Sequence, residues 1–167
     1  MRERSPSRAG TPMHLRKPTV ADVPAMVALM RPHILSERLL PRSPRQVAER
    51  LRDYVVAEEG GALIGVASIS LVDTHLAEVG ALAAEDGGVA EALTLHLLDE
   101  ARQMGVADAF VLTDEASLFE RMGFRPVSIA TIPEKRDRQC LRCARLPRCR
   151  QVALTVSLVE PAALAAK

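Results

Sequence analysis

Cys140, Cys143 and Cys149 are the chain's three cysteines and fall within ten residues of one another. A C-x-x-C pair with a third thiol close by has the spacing of a metal knuckle, because thiolates are soft ligands for zinc and for iron–sulfur clusters. Three thiols fill three of four tetrahedral positions. His14, His33, His75 and His96 are all distant in sequence, so spacing does not assign the fourth ligand. An odd count also argues against a disulfide framework. Arg142, Arg145, Arg148 and Arg150 surround the thiols and are expected to lower their pKa values, which suits metal capture and oxidation alike. Other features read as structural: His75 and His96 as ordinary histidines, Met26, Met30, Met104 and Met122 as core fillers, and the Lys135 to Arg138 run as a solvated helix face.

The elements that would position such groups follow from periodicity. His14 to Lys17 is a short strand ending at Pro18. From Ala21 to about Ser36 the residues Val23, Met26, Val27, Met30 and Ile34 recur at three- and four-residue steps, the mark of an amphipathic helix, with Pro24 in its permitted first turn and a bend expected near Pro32. Ser43-Pro44 opens a second helix with Ser43 as cap. Tyr54 to Ala57 and Ala62 to Val72, joined at Glu59-Gly60-Gly61, read as a hairpin, and Leu76 to Ala84 as a third strand. Gly87-Gly88 then breaks the pattern before a helix running to about Met104, where Gly105 stops it. A strand at Ala109 to Thr113, a short helix at Glu115 to Met122, a strand at Phe124 to Ile129 and a closing strand at Gln151 to Val159 complete the order.

Composition narrows the functional classes. The 167 residues are 48% hydrophobic and 26% charged with a net charge of +1, enough for one globular core and without the field that favours nucleic acid or an anionic membrane. Aromatic residues make up 2%, which leaves no platform for stacking bases. The apolar stretch Ala62 to Val72 is far below the roughly twenty residues that span a bilayer. Met1 to Pro12 carries Arg2, Arg4 and Arg8 but no apolar h-region. The expectations are a disordered tail over 1–12, a domain over 13–159 with a cysteine-bearing segment at 133–150, a frayed end over 160–167, and a cytoplasmic location.

That element order, a three-strand antiparallel meander running into a Gly-marked turn and a helix, resembles the GNAT acyltransferase fold over most of His14 to Leu158. The strings Leu39-Leu40-Pro41-Arg42-Ser43, Phe110-Val111-Leu112-Thr113, Phe119-Glu120-Arg121-Met122-Gly123-Phe124 and Cys140-Leu141-Arg142-Cys143 through Pro147 to Cys149 are similar to those of the short glutamate N-acetyltransferases of arginine biosynthesis. The resemblance implies an α/β (α+β) fold with a mixed central sheet flanked by helices. It also implies acetyl-CoA as co-substrate, the free α-amino group of a small amino acid, glutamate above all, as acceptor, and direct transfer without a covalent enzyme intermediate. A homodimer is the assembly to test for.

Residue by residue, the resemblance implies that Gly87, Gly88, Val89 and Ala90 offer backbone N–H groups to the CoA pyrophosphate at a helix start. It implies that the backbone of Leu82 and Ala84 meets the pantetheine arm, that Glu78 accepts the amine proton, and that Arg42 holds an acceptor carboxylate. The resembling loops are longer and carry arginine or glutamine. This one has neither, and Glu85, Asp86 and Glu91 flank it. Gly80 stands where relatives often have arginine, and no general acid is assigned, since Ser117 and Phe119 occupy the nearby helix. These departures support a second reading, a catalytically weakened GNAT-fold binding or regulatory protein with a cysteine metal or redox element.

Overall fold

The computed structural model describes residues 11–160. The tail expected over 1–12 and the frayed end expected over 160–167 lie, apart from their innermost residues, outside this range. Strand β1 (His14–Arg16) leads into a 3-10 turn at Val20–Asp22 and then helix α1 (Val23–Leu35), so the helix expected from Ala21 begins as a tighter turn. The reason is local, since the Thr19 N–H donates to the Asp22 carboxylate at 2.7 Å and holds the first turn closed. Helix α2 (Pro44–Glu49) starts as the sequence predicts, with a reciprocal cap in which Ser43 Oγ accepts the Gln46 N–H and Gln46 Oε1 accepts the Ser43 N–H.

Strands β2 (Tyr54–Glu59), β3 (Ala62–Asp73) and β4 (Leu76–Ala84) form the antiparallel meander. Gly60 and Gly61 both take positive φ, 57° and 76°, as the two-residue hairpin turn requires. Helix α3 (Gly87–Gln103), strand β5 (Asp108–Thr113), helix α4 (Ala116–Glu120), strand β6 (Arg125–Val127), helix α5 (Pro133–Arg136) and strand β7 (Val152–Ser157) come next along the chain. The seven strands lie in the order β1-β2-β3-β4-β5-β7-β6, and the β4–β5 pair is parallel where the others are antiparallel. This is the mixed central sheet flanked by helices of the GNAT fold.

Two apolar layers cover the sheet. On one face Leu93, Leu97 and Leu98 of α3 pack against Val55, Ala67, Ile69 and Val79. On the other Met26 and Met30 of α1 and Val47 of α2 pack against Val56, Val66 and Ala83. Met104, expected in the core with Met26 and Met30, is 47% exposed because it caps the solvent end of α3. The basic segment before β7 contains α5 and two 3-10 turns, Cys140–Arg142 and Leu146–Arg148. Among the described residues no helix is long and apolar enough to cross a membrane.

Strand β4 is irregular near its middle. The β3–β4 register slips between Val66 and Ser68, which pair with Ala83 and Gly80, so β4 carries an extra residue there. Ala81 takes φ 50° to absorb it. An inserted residue inverts the alternation of a strand, and Ala77 and Val79 accordingly face α3 while Ala81 and Ala83 face α1.

Candidate active site

The same bulge marks where β4 and β5 part. Their parallel pairing runs from Leu76↔Asp108 to Val79↔Val111 and goes no further. Beyond Val79, no strand among the described residues pairs with the β5-facing edge of β4 over Gly80 to Ala84, which leaves its backbone groups open to an extended, amide-bearing ligand. Leu82 and Ala84 lie on this edge. Two residues later the chain enters α3, so a ligand lying along the edge is led to the helix N-terminus.

That N-terminus is self-capped. The Asp86 carboxylate accepts the Val89 N–H at 2.9 Å, and the Ala90 N–H donates to the Asp86 carbonyl at 3.1 Å. The N–H groups of Val89 and Ala90, expected to serve a pyrophosphate, are therefore engaged within the turn. Gly87 and Gly88 complete it, and a Cβ added at Gly88 would lie 3.2 Å from Asp86 Oδ1, which places the carboxylate close over that backbone.

On the other side of the bulge, residues of β4, the loop after α1 and the cysteine segment enclose a cavity of about 640 Å³. Glu78, Gly80, Arg42, Lys135 and all three cysteines line it, so the fold gathers residues as far apart in sequence as Arg42 and Cys149. Glu78 forms an ion pair with Lys135, Nζ to Oε1 at 2.6 Å, with the two side chains 19% and 12% exposed. Lys135 also donates to Gln139 Oε1. The Lys135 to Arg138 run is therefore not the solvated face its charge suggested, because α5 turns its single lysine inward onto Glu78 of the sheet. Lysine within a basic run gives no signal of that kind in sequence.

Arg42 reaches the cavity from the loop between α1 and α2. Its Nη1 is buried and has no hydrogen-bond partner among the described residues, an unusual state for a guanidinium nitrogen, since leaving a buried donor unmet costs about 1–3 kcal/mol. Three of the other arginines that line the cavity are engaged: Arg148 with Glu37 at 2.9 Å, Arg38 with Asp114 at 3.2 Å, and Arg145 with the Leu39 carbonyl at 2.8 Å. Tyr54 lies near Arg42, and burial pushes its hydroxyl pKa up while the Arg42 charge partly counters it. Phe119 belongs to the core, stacked edge-to-face on Phe124 at 5.4 Å, and Ser117 is exposed.

The thiols behave differently from expectation. Cys140 opens one 3-10 turn, Cys143 closes it and Cys149 closes the next. Among the described residues no three His, Cys, Asp or Glu side chains are gathered as a metal-binding group, so Cys140, Cys143 and Cys149 share a cavity wall without forming the expected zinc or iron–sulfur ligand set. Burial raises the Cys140 thiol pKa, with Lys135 only partly opposing it. For this thiol, desolvation outweighs the cationic surroundings that the sequence suggested would lower it.

Comparison with known proteins agrees with this geometry. The acetyltransferase (GNAT) family model matches residues 27–124. An N-acetyltransferase of Chlorobaculum tepidum is 28% identical over 148 residues, 86% of this chain and 96% of that protein. The amino-acid acetyltransferase of Neisseria meningitidis is 31% identical over 128 residues, 73% of this chain, but those residues are only 29% of the enzyme's length. The structure of N-acetylglutamate synthase from Neisseria gonorrhoeae, complexed with coenzyme A and N-acetyl-glutamate, superposes with a TM-score of 0.77 at 26% identity, over 89% of this chain and 35% of that one. The splayed β4–β5 pair, the seven-stranded mixed sheet and the family match together establish that the chain belongs to the GNAT family of acetyltransferases.

Proposed function

We propose that the protein transfers the acetyl group of acetyl-CoA to the α-amino group of a small amino acid with a side-chain carboxylate, glutamate being the acceptor that fits best. The observation that carries this reading is the unpartnered, buried Nη1 of Arg42 in the cavity that also holds Glu78. A carboxylate oxygen would satisfy that donor with a charge-assisted bond worth about 1.5–3 kcal/mol. The acceptor amine would then face the point where β4 and β5 separate, with the thioester arriving along the β4 edge. In the transfer the amine nitrogen attacks the thioester carbonyl, the C–N bond forms, the C–S bond breaks, and the sulfur leaves as the thiolate of CoA, which takes up the proton the nitrogen sheds as it becomes an amide. Glu78, directly or through a water, takes the proton the ammonium must lose. Names of the amino-acid acetyltransferase and N-acetylglutamate synthase relatives support the acceptor class.

The test is CoA release with glutamate, aspartate, glutamine and norvaline as acceptors, on the intact chain and on Arg42→Ala. Arg42→Ala is expected to raise KM for the favoured dicarboxylate about 10- to 100-fold with a smaller change in kcat. Equal use of norvaline and glutamate would remove the role given to Arg42. The Lys135–Glu78 pair favours a second reading, in which a neutralised Glu78 leaves a binding or regulatory protein that holds the amino acid without acetylating it. Acceptor binding without CoA release in the same assay would establish that reading instead.

A further inference from the structure

We infer that Asp86 sets the donor specificity of this protein: by holding its own carboxylate in the anion position at the N-terminus of α3, it makes the diphosphate of CoA a poor determinant of binding and leaves the pantetheine thioester arm as the part that is recognised. The inference rests on the proposed use of the β4 edge as the donor track, and it concerns what the far end of that track accepts.

Two independent observations lead to it. The unpaired β4 edge from Gly80 to Ala84 offers strand-type hydrogen bonding to a ligand carrying amides, which the pantetheine arm does. The turn where that edge ends carries a built-in anion, because Asp86 Oδ1 accepts the Val89 N–H at 2.9 Å and lies over Gly88. A phosphate arriving there competes with a covalently attached carboxylate for the Val89 N–H and for the same dipole. If Asp86 swings away, α3 loses its cap, and the displaced charge still lies next to the phosphate. The segment Leu76 to Ala101 contains neither lysine nor arginine, while Asp86 and Glu91 are acidic. Arg16, which lines a cavity together with Ala84 and Glu85, is committed to Asp22 and Glu58 at 2.7 Å each.

Asparagine at position 86 keeps a capping oxygen of the same shape and removes the charge. The experiment is calorimetric binding of CoA and of pantetheine to the unmodified chain and to Asp86→Asn, at low and high salt. The expected result is comparable affinity for the two ligands in the unmodified chain, a gain of about fivefold or more for CoA in Asp86→Asn, and no change for pantetheine. Added salt should strengthen CoA binding to the unmodified chain by screening the repulsion. The inference is overturned if the unmodified chain binds CoA about 100-fold more tightly than pantetheine, if Asp86→Asn leaves CoA affinity within about twofold, or if neither ligand binds either protein. Acetyl transfer is read separately. CoA binding that tightens in Asp86→Asn without any transfer to an amino acid would end the proposed reaction and leave this inference standing.

Discussion

At the scale of single residues, the site depends on the contrast between one satisfied cation and one unsatisfied cation. Lys135 is fully engaged, with Glu78 at 2.6 Å and with Gln139, whereas Arg42 keeps a buried nitrogen in reserve. A general base acts only when it is held within reach of the proton it takes, and the 2.6 Å contact with Lys135 fixes where the Glu78 carboxylate sits. Glu78→Gln is therefore expected to reduce kcat by about 10²- to 10⁴-fold with little change in acceptor KM. Lys135→Met removes the partner that fixes the Glu78 carboxylate and is expected to lower kcat by about 10-fold through its misplacement. Steady-state kinetics of each variant are the check. An unchanged kcat in Lys135→Met would leave the ion pair without a part in turnover.

At the scale of elements, the sheet's two helices are positioned by backbone details of very different visibility in sequence. Helix α3 sits closer to the sheet than side chains normally allow, because a Cβ at Gly65 would lie 2.7 Å from Val89 Cγ1 and 2.8 Å from Leu93 Cδ1. Gly65→Ala should thus lower stability by about 1–3 kcal/mol through overpacking, measured as a shift in the urea midpoint. It should also weaken donor binding, since Val89 belongs to the turn that ends the donor track. The α3 stripe, the Gly60-Gly61 hairpin and the Ser43 cap were legible because each rests on local chemistry: periodicity, positive φ and a side-chain oxygen next to free N–H groups. The bulge at Ala81 was not legible, since alanine at φ 50° carries no turn signature and only tertiary pairing forces it there. The segment from Pro133 to Arg150 hid its role for a related reason. Its short turns lack periodicity, and whether Lys135 or Cys140 points inward depends on β4 lying beneath them. The strings around Arg42 and the cysteines fall on segments that line one cavity, but the ion pair on Glu78 and the desolvation of Cys140 are products of assembly.

At the scale of the whole molecule, α1 is held at both ends, and the two attachments connect the sheet edge to the acceptor cavity. Its C-terminal end runs into the loop carrying Arg42, which is tied to the cysteine segment by Arg148 to Glu37 at 2.9 Å, Arg145 to the Leu39 carbonyl at 2.8 Å and Gln151 to the Arg38 carbonyl at 2.7 Å. Its N-terminal end is anchored by Arg16 of β1, which bonds both oxygens of Asp22 at 2.7 and 2.9 Å and reaches Glu58 of β2 at 2.7 Å. The Arg16 hydrogen bonds hold the Asp22 carboxyl down to about 2, helped by the Thr19 N–H. In the unfolded chain the same carboxyl titrates near 3.8, so protons bind the unfolded form first as pH falls. The anchor's contribution is complete above about pH 4 and disappears as pH drops towards 2. Melting temperature should accordingly decline through that window in the native protein. Asp22→Asn should melt lower at neutral pH and show a shallower decline between pH 4 and 2, because the titrating group is gone. Equal acid slopes in the two proteins would mean that other carboxylates carry the transition. If the anchor also sets the cavity, Asp22→Asn should raise acceptor KM at neutral pH despite its distance from the cavity, since a loosened α1 lets the Arg42 loop wander; an unchanged KM would confine the anchor to stability.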